Sequence, residues 1–155
     1  MAAILNSDLK AMAKRSVLCW LATADERGQP NVSPKEGFAV ADDEHIVVAN
    51  IASPGSAKNI RVNGKVCLSF VDVFAQKGLK VIGTATDVKP SESEYSRWVE
   101  PLRKMVGDRF PIHSVFVVRI AIAEQIIAPS YRLYPSETTE ASQVQSALRT
   151  YGVRR

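Results

Sequence analysis

The stretch Ile46 to Phe70, IVVANIASPGSAKNIRVNGKVCLSF, constrains the fold of this chain more than any other. An apolar β-branched run, Ile46 to Ile51, leads through the Ser53-Pro54-Gly55 turn into one short basic helix and on to a second apolar strand. Ser56 stands where it can cap that helix, which carries Lys58, Asn59 and Arg61. Such a helix start offers an anion unpaired backbone N–H groups, a hydroxyl, an ammonium and an amide, with the positive end of the helix dipole behind them. An ordinary connection with a solvated basic face would have the same residues, so the neighbouring segments must decide.

On the N-terminal side, Leu5, Leu9, Met12 and Ala13 repeat at helical spacing with Asn6 or Ser7 as cap, which predicts an amphipathic helix lying across one end of a sheet. Ser16 to Ala24 reads as a strand buried on both faces, Asp25 to Gly28 as a turn, and Gln29 to Ala41 as a second strand paired with the first. The turn Asp42-Asp43-Glu44 then leads into Ile46, giving a three-stranded antiparallel meander. Pro34 cannot donate to a ladder, so its strand is either an edge or a wall along which a ligand lies.

After the central stretch, Lys65 to Val73 and Leu79 to Val88 are strands joined by the Phe74 to Gly78 loop. Gly83, inside the second of them, marks a bend or a close backbone approach. Ser91-Glu92-Ser93-Glu94 has the capping-box pattern and opens a helix through Tyr95, Trp98 and Val99 that Pro101 should break or kink. Ile112 to Ile122 is the last long strand. Beyond Ala128 the chain turns polar, with a final helix from about Thr138 to Tyr151 ended by Gly152. The fold class is mainly β with helices: a six-stranded antiparallel barrel with helices at its ends and after strands 3 and 5. Residues 1–128 form the barrel domain and 129–155 a tail, which either docks on a second subunit or stays mobile.

Composition narrows the functions. At 155 residues with 46% hydrophobic and 23% charged, the chain suits one soluble domain with a real core. No apolar run is long enough to span a bilayer, and the N-terminus MAAILNSDLKAMAKR lacks a leader layout, so the expected location is cytoplasmic. Cys19 and Cys67 sit in apolar strands and read as buried free thiols. With only His45 and His113 besides, no metal constellation is expected. The net charge of +4 is spread along the chain rather than clustered, so a compact anion fits as well as nucleic acid. An oligonucleotide-binding barrel is disfavoured because the strands lack aromatics interleaved with lysine or arginine.

Three segments carry a resemblance: LATADERGQPNVSP from Leu21 to Pro34, SAKNIRVNGKVCLSF from Ser56 to Phe70, and GLKVIGTA from Gly78 to Ala85. In this order they resemble successive signatures of the FMN-binding split β-barrel family, the pyridoxamine 5'-phosphate oxidase-like superfamily. The resemblance runs from about Leu5 to Ala128. It implies a homodimer with two FMN molecules in clefts between subunits. Val32, Ser33, Pro34, Lys35, Val48, Ala49 and Asn50 would contact the ring and ribityl chain, and Ser56, Lys58 and Asn59 the phosphate. Gln76 and Lys80 would reach the partner subunit's flavin.

The pattern is not complete. Pyridoxamine-phosphate oxidases carry an arginine-lysine pair in the phosphate helix, whereas Ala57 precedes Lys58 here, and Tyr131 to Pro135 does not match their arginine-rich end. The resemblance therefore implies an FMN-dependent oxidoreductase of unassigned substrate. Alternatives are a non-catalytic flavin-binding, storage or redox-sensing protein, or a related barrel holding haem or a deazaflavin. Lys35 is a candidate for either the ring edge or the phosphate. No side chain is an evident acid, base or nucleophile, so the catalytic residues are left unassigned. Trp20 and Trp98 read as core. Tyr131 and Tyr134 read as docking contacts of the tail, with a lid as the other possibility.

Overall fold

The computed structural model describes residues 5–154. Arg155 and the first four residues of the N-terminal stretch discussed above lie outside them. The elements in chain order are α1 (Ser7–Arg15), β1 (Cys19–Ala24), β2 (Pro30–Lys35), β3 (Phe38–Val40), β4 (His45–Asn50), α2 (Pro54–Val62), β5 (Lys65–Asp72), β6 (Lys77–Val88), α3 (Tyr95–Val106), β7 (Ser114–Ile127), α4 (Ser130–Leu133) and α5 (Glu140–Tyr151).

All strands belong to one antiparallel sheet of seven, in the order β2-β1-β5-β6-β7-β4-β3. Its two edge strands, β2 and β3, are consecutive in the chain and separated by Glu36 and Gly37 alone. Three Cα–Cα steps span at most about 11 Å. Seven flat strands would hold the edges about 29 Å apart at the usual strand spacing. The sheet must therefore curl until its edges meet, which makes a barrel split beside β2. The single strand expected over Gln29 to Ala41 is two strands for this reason, and the count is seven rather than six. A Cβ on Gly37 would stand 3.1 Å from both the Ala49 Cβ and a Val106 methyl, so the bend presses backbone against β4 and α3.

Two cores flank the sheet. Leu21, Phe38, Ile46, Val48, Leu68, Phe70, Leu79, Val81, Phe116 and Val118 fill the barrel, with Phe38 and Phe70 edge to face at 5.1 Å. Val47, Ala49, Val115 and Val117, on the opposite face of the same strands, pack against Tyr95, Trp98, Val99 and Leu102 of α3. Being covered on both sides, β4 is apolar without a break from Ile46 to Ala49. α1 packs over β5 and β6 and is capped by Asn6, whose side chain accepts from Leu9 N–H.

Several expectations are corrected. β1 alternates rather than being buried on both faces, and Trp20 is 46% exposed on the barrel's outside, not in the core. Cys67 is only half-buried, on that same outward side; both cysteines are free. The Ser91 to Glu94 segment makes no capping box. Glu92 instead accepts from Lys89 N–H at 2.8 Å, and α3 starts at Tyr95 without a side-chain cap. Pro101 does not end α3, which runs on to Val106 because its buried face of Trp98, Val99 and Leu102 outweighs the lost backbone bond. The last strand runs Ser114–Ile127 rather than Ile112 to Ile122.

Gly83 is where β6 shifts register against β7, and a Cβ there would stand 2.1 Å from the Arg119 carbonyl oxygen. α5 begins at a capping box between Thr139 and Ser142 and ends at Gly152 in the left-handed region. It is tied to the barrel by Glu140, which accepts from Arg15 at 2.7 Å and from Lys77 at 3.2 Å. Tyr131 donates to the Ala75 carbonyl at 2.7 Å, a docking contact of the tail. Among the described residues no helix is long and apolar enough to cross a membrane.

Candidate functional site

The split beside β2 is closed by α2, which runs antiparallel down that strand with polar contacts at each step. At its N-terminal end Lys35 Nζ donates to Ser53 Oγ. One turn on, Ser33 and Ser56 hydroxyls lie 3.2 Å apart. Next, Asn59 and Asn31 both donate to Thr23 Oγ1, at 3.0 and 3.3 Å. Finally Asn63 donates to the Asp25 carbonyl at 3.2 Å. These pairings explain why Asn31, Ser33 and Lys35 are polar on the inner face of a barrel strand: they are the seam for a helix, and β2 is an edge strand whose other side pairs with nothing in the sheet.

The cap of α2 is Ser53, with Pro54 in the first turn and Ser56 two residues further in, contrary to the expectation for Ser56. Ser53 Oγ takes no capping bond and is left for Lys35. The loop before it is fixed by the Asn50 side chain, whose Oδ1 accepts from Ser53 N–H at 3.2 Å and whose Nδ2 donates to Ser114 Oγ at 2.8 Å. Asn50 and Ser114 follow the inward positions of β4 and β7, so they form the mouth of the barrel together with Lys35.

Lys35 is the electrostatic anomaly of this mouth. It is 93% buried by its 7% exposure, and among the described residues no carboxylate pairs with it. Burial pushes its ammonium below the ordinary lysine range, and Cys19, its cross-strand neighbour, is pushed up to about 12 by its own burial. A buried cation with a single hydroxyl partner is unfavourable unless an anion completes it. The first N–H groups of α2 lie beside it, lacking intrahelical acceptors by the rule for helix starts.

A cleft of about 420 Å³ opens at the start of α2, lined by Asn50, Ile51, Ser53, Ala57, Arg61 and His113 among others. That volume is within the range of small-molecule sites. Ile51 is shared with a second cleft of about 460 Å³, whose walls are Val17, Gly37, Met105, Val106 and Phe110 with Glu36 at the edge. Two clefts thus adjoin across one isoleucine, the first carrying the polar side chains of Asn50, Ser53, Arg61 and His113 and the second mainly apolar ones, an arrangement suited to a ligand with an anionic end and a flat apolar one.

The expected site residues are only partly brought together. Ser33, Lys35, Asn50, Ser56 and Asn59 converge along the α2 seam, and Lys58 is exposed on the helix beside it. Val32 and Pro34 are exposed on the outward face of β2. Val48 and Ala49 are core residues, one inside the barrel and one under α3. Gln76 and Lys80 have their partners elsewhere: Gln76, with φ 54°, shapes the β5–β6 turn, and Lys80 pairs with Glu124 on the barrel's outside. Arg61 and His113 line the cleft, although neither is among the residues that the resemblance assigns to the cofactor. His45 is held by Asp42 at 2.8 Å in the β3–β4 turn. No cluster of three metal-ligating side chains occurs among the described residues.

The architecture is a curled antiparallel split barrel whose seam is closed by a helix, and the comparisons give its family. The chain matches the family model for pyridoxamine 5'-phosphate oxidase over residues 5–143, and it belongs to that family. It is similar to HupZ of Group A Streptococcus at 25% identity, covering 77% of this chain and 91% of that one, with a TM-score of 0.65. An FMN-binding protein from Syntrophomonas wolfei shares the fold at 18% identity, 78% and 88% coverage and a TM-score of 0.64. HutZ, the heme storage protein from Vibrio cholerae, shares it at 20% identity, 79% and 94% coverage and a TM-score of 0.63. No curated protein matches the sequence.

Proposed function

We propose that this protein is an FMN-binding flavoprotein acting as an oxidoreductase on a small electron donor or acceptor. The observation that carries the reading is Lys35: a buried ammonium with no carboxylate partner among the described residues, bonded to Ser53, the cap of α2, which itself lines the cleft. In this reading Lys35, Ser53 and the first N–H groups of α2 hold the phosphate, with Lys58 nearby. Ser56 and Asn59 serve chiefly by locking the helix to β2 and β1. Lys35 has two further N–H donors beyond the one given to Ser53, enough to reach both a phosphate oxygen and the ribityl chain. The unpaired edge of β2 offers backbone groups from Ser33 to Lys35 to a ring edge. Bound FMN would supply hydride or single-electron chemistry, while the chain supplies binding, orientation and electrostatics.

The same proposal includes a homodimer. Across five strands the register aligns Val32, Ala22, Cys67, Ile82 and Ile122 in one outward row, and Val32, Ile82 and Ile122 are each more than a third exposed. The adjoining row holds Pro34, Trp20, Ser69 and the Lys80–Glu124 pair. An apolar band of this extent on a small protein supports an interface, and it would bring Lys80 toward a second copy as the family resemblance implies.

FMN fluorescence during titration with apoprotein tests the first part; quenching that saturates at one FMN per chain is expected, and no quenching would refute it. Sedimentation tests the second part: a dimer is expected for the native chain and a monomer for Ile82→Lys, and a monomeric native chain would refute it. A second reading, haem in the same cleft, draws on His113, exposed there beside Arg61, as an axial ligand. A haem spectrum in place of a flavin spectrum would select it.

A further inference from the structure

The side of α2 that faces the cleft carries a cation of its own. Ala57 and Arg61 stand one turn apart, so they share a helix face, and both line the cleft with Ser53 and His113. The family pattern places an arginine directly before the lysine of this helix, and this chain has Ala57 there.

Arg61 is held in place from below. Its Nε donates to Asp87 Oδ2 at 2.8 Å, and its Nη2 is 2.7 Å from the same oxygen. The Asp87 side chain is 1% exposed and its Oδ1 has no hydrogen-bond partner among the described residues. A carboxylate kept so deeply and only half satisfied is unfavourable for stability by itself. What it achieves is a fixed guanidinium: β6, a central strand, sets the carboxylate, and the carboxylate sets Arg61. Of the five N–H donors of the guanidinium, two face Asp87. The rest belong to a side chain that is 52% exposed at the cleft.

We propose that Arg61, positioned by Asp87, is the second cation at the phosphate end of this site, supplying from one turn further along α2 the charge that Ala57 lacks. The inference rests on the reading of the cleft as a phosphate site. Lys35 then approaches the anion from β2 and Arg61 from α2, with Ser53 between them. Arg61 is a ligand-binding residue in this account and Asp87 a positioning residue.

FMN and riboflavin differ only by the phosphate, so the ratio of their affinities isolates this end of the site. Arg61→Ala alone would strand the Asp87 charge, so the variants are Arg61→Ala/Asp87→Asn, which removes the pair together, and Arg61→Gln, which leaves a hydrogen-bonding group for Asp87. Each should lower the preference for FMN over riboflavin by about tenfold or more, the range of one charge-assisted hydrogen bond. Riboflavin affinity should stay within about threefold of wild type, and inorganic phosphate should compete less well with FMN. A wild-type preference retained by either folded variant overturns the role of Arg61. A wild-type protein that binds FMN no better than riboflavin overturns the phosphate reading and this inference together, so the two failures are distinguishable.

Discussion

Replacing Lys35 by methionine tests the electrostatic core of this account, because binding and stability should move in opposite directions. The methionine keeps the length of the side chain and removes the charge. In the native chain the ammonium is buried, gives one hydrogen bond to Ser53 and has no carboxylate among the described residues to offset its lost hydration. Lys35→Met without ligand should therefore melt at or above the native temperature. The sign with pH follows from the direction of the shift: burial holds Lys35 below its ordinary value, so between that lowered value and about 10.4 the unfolded chain carries the extra proton. Native stability rises with pH across that window, and the advantage of the methionine variant shrinks there. FMN affinity should fall by about 1.5–3 kcal/mol, the range for one charge-assisted hydrogen bond, which is roughly 10- to 150-fold. Thermal melts from pH 7 to 10.5 and fluorescence titrations with FMN read both effects. A variant that binds FMN as well as the native chain, or whose apo form is less stable, refutes the reasoning.

Three further expectations concern the frame around the site. Gly83→Ala should lower stability by about 3 kcal/mol, since its Cβ would stand 2.1 Å from the Arg119 carbonyl and the β6–β7 pairing would have to shift; an unchanged urea midpoint would contradict this. With a disulfide reagent at pH 8, Cys19, pushed up to about 12 by burial, should stay unreacted in the folded protein, while the half-buried Cys67, also raised by burial, should react slowly. Rapid reaction of both thiols without denaturant would count against the barrel interior described here. Hydrogen bonds from Arg15 and then Lys77 hold the Glu140 carboxyl below the usual range, so its tie on α5 is complete above about pH 4.3 and is lost as pH falls through the lowered value. Hydrogen exchange of α5 should accelerate there before the barrel opens, and Glu140→Gln should abolish that pH dependence; identical profiles would show that the ion cluster does not hold the tail.

Most of the barrel is legible from local pattern. β4, β5, β6, α2 and α5 fall within a few residues of the runs and caps that announce them, because their burial repeats and turn residues agree. The bend at Glu36-Gly37 is less visible. It depends on where the opposite edge of the sheet arrives, and only a glycine after two charged residues hints at it. The site divides in the same way. Its place at the start of α2 follows from Ser53-Pro54-Gly55, although Pro54 in the first turn makes Ser53 the cap rather than Ser56. What the sequence could not reveal is which lysine loses its water. Lys35 and Lys58 look alike as letters, yet a helix lies against one and solvent against the other. The Arg61–Asp87 pair bridges twenty-six positions and two elements, and no spacing rule connects them.

The most direct measurement is the visible spectrum of the protein as purified, followed by denaturation and identification of the released chromophore by mass. The account predicts a yellow protein that releases FMN at one molecule per chain, or a colourless one that acquires the same spectrum when FMN is added. A protein that stays colourless with FMN, or that releases haem, would contradict it.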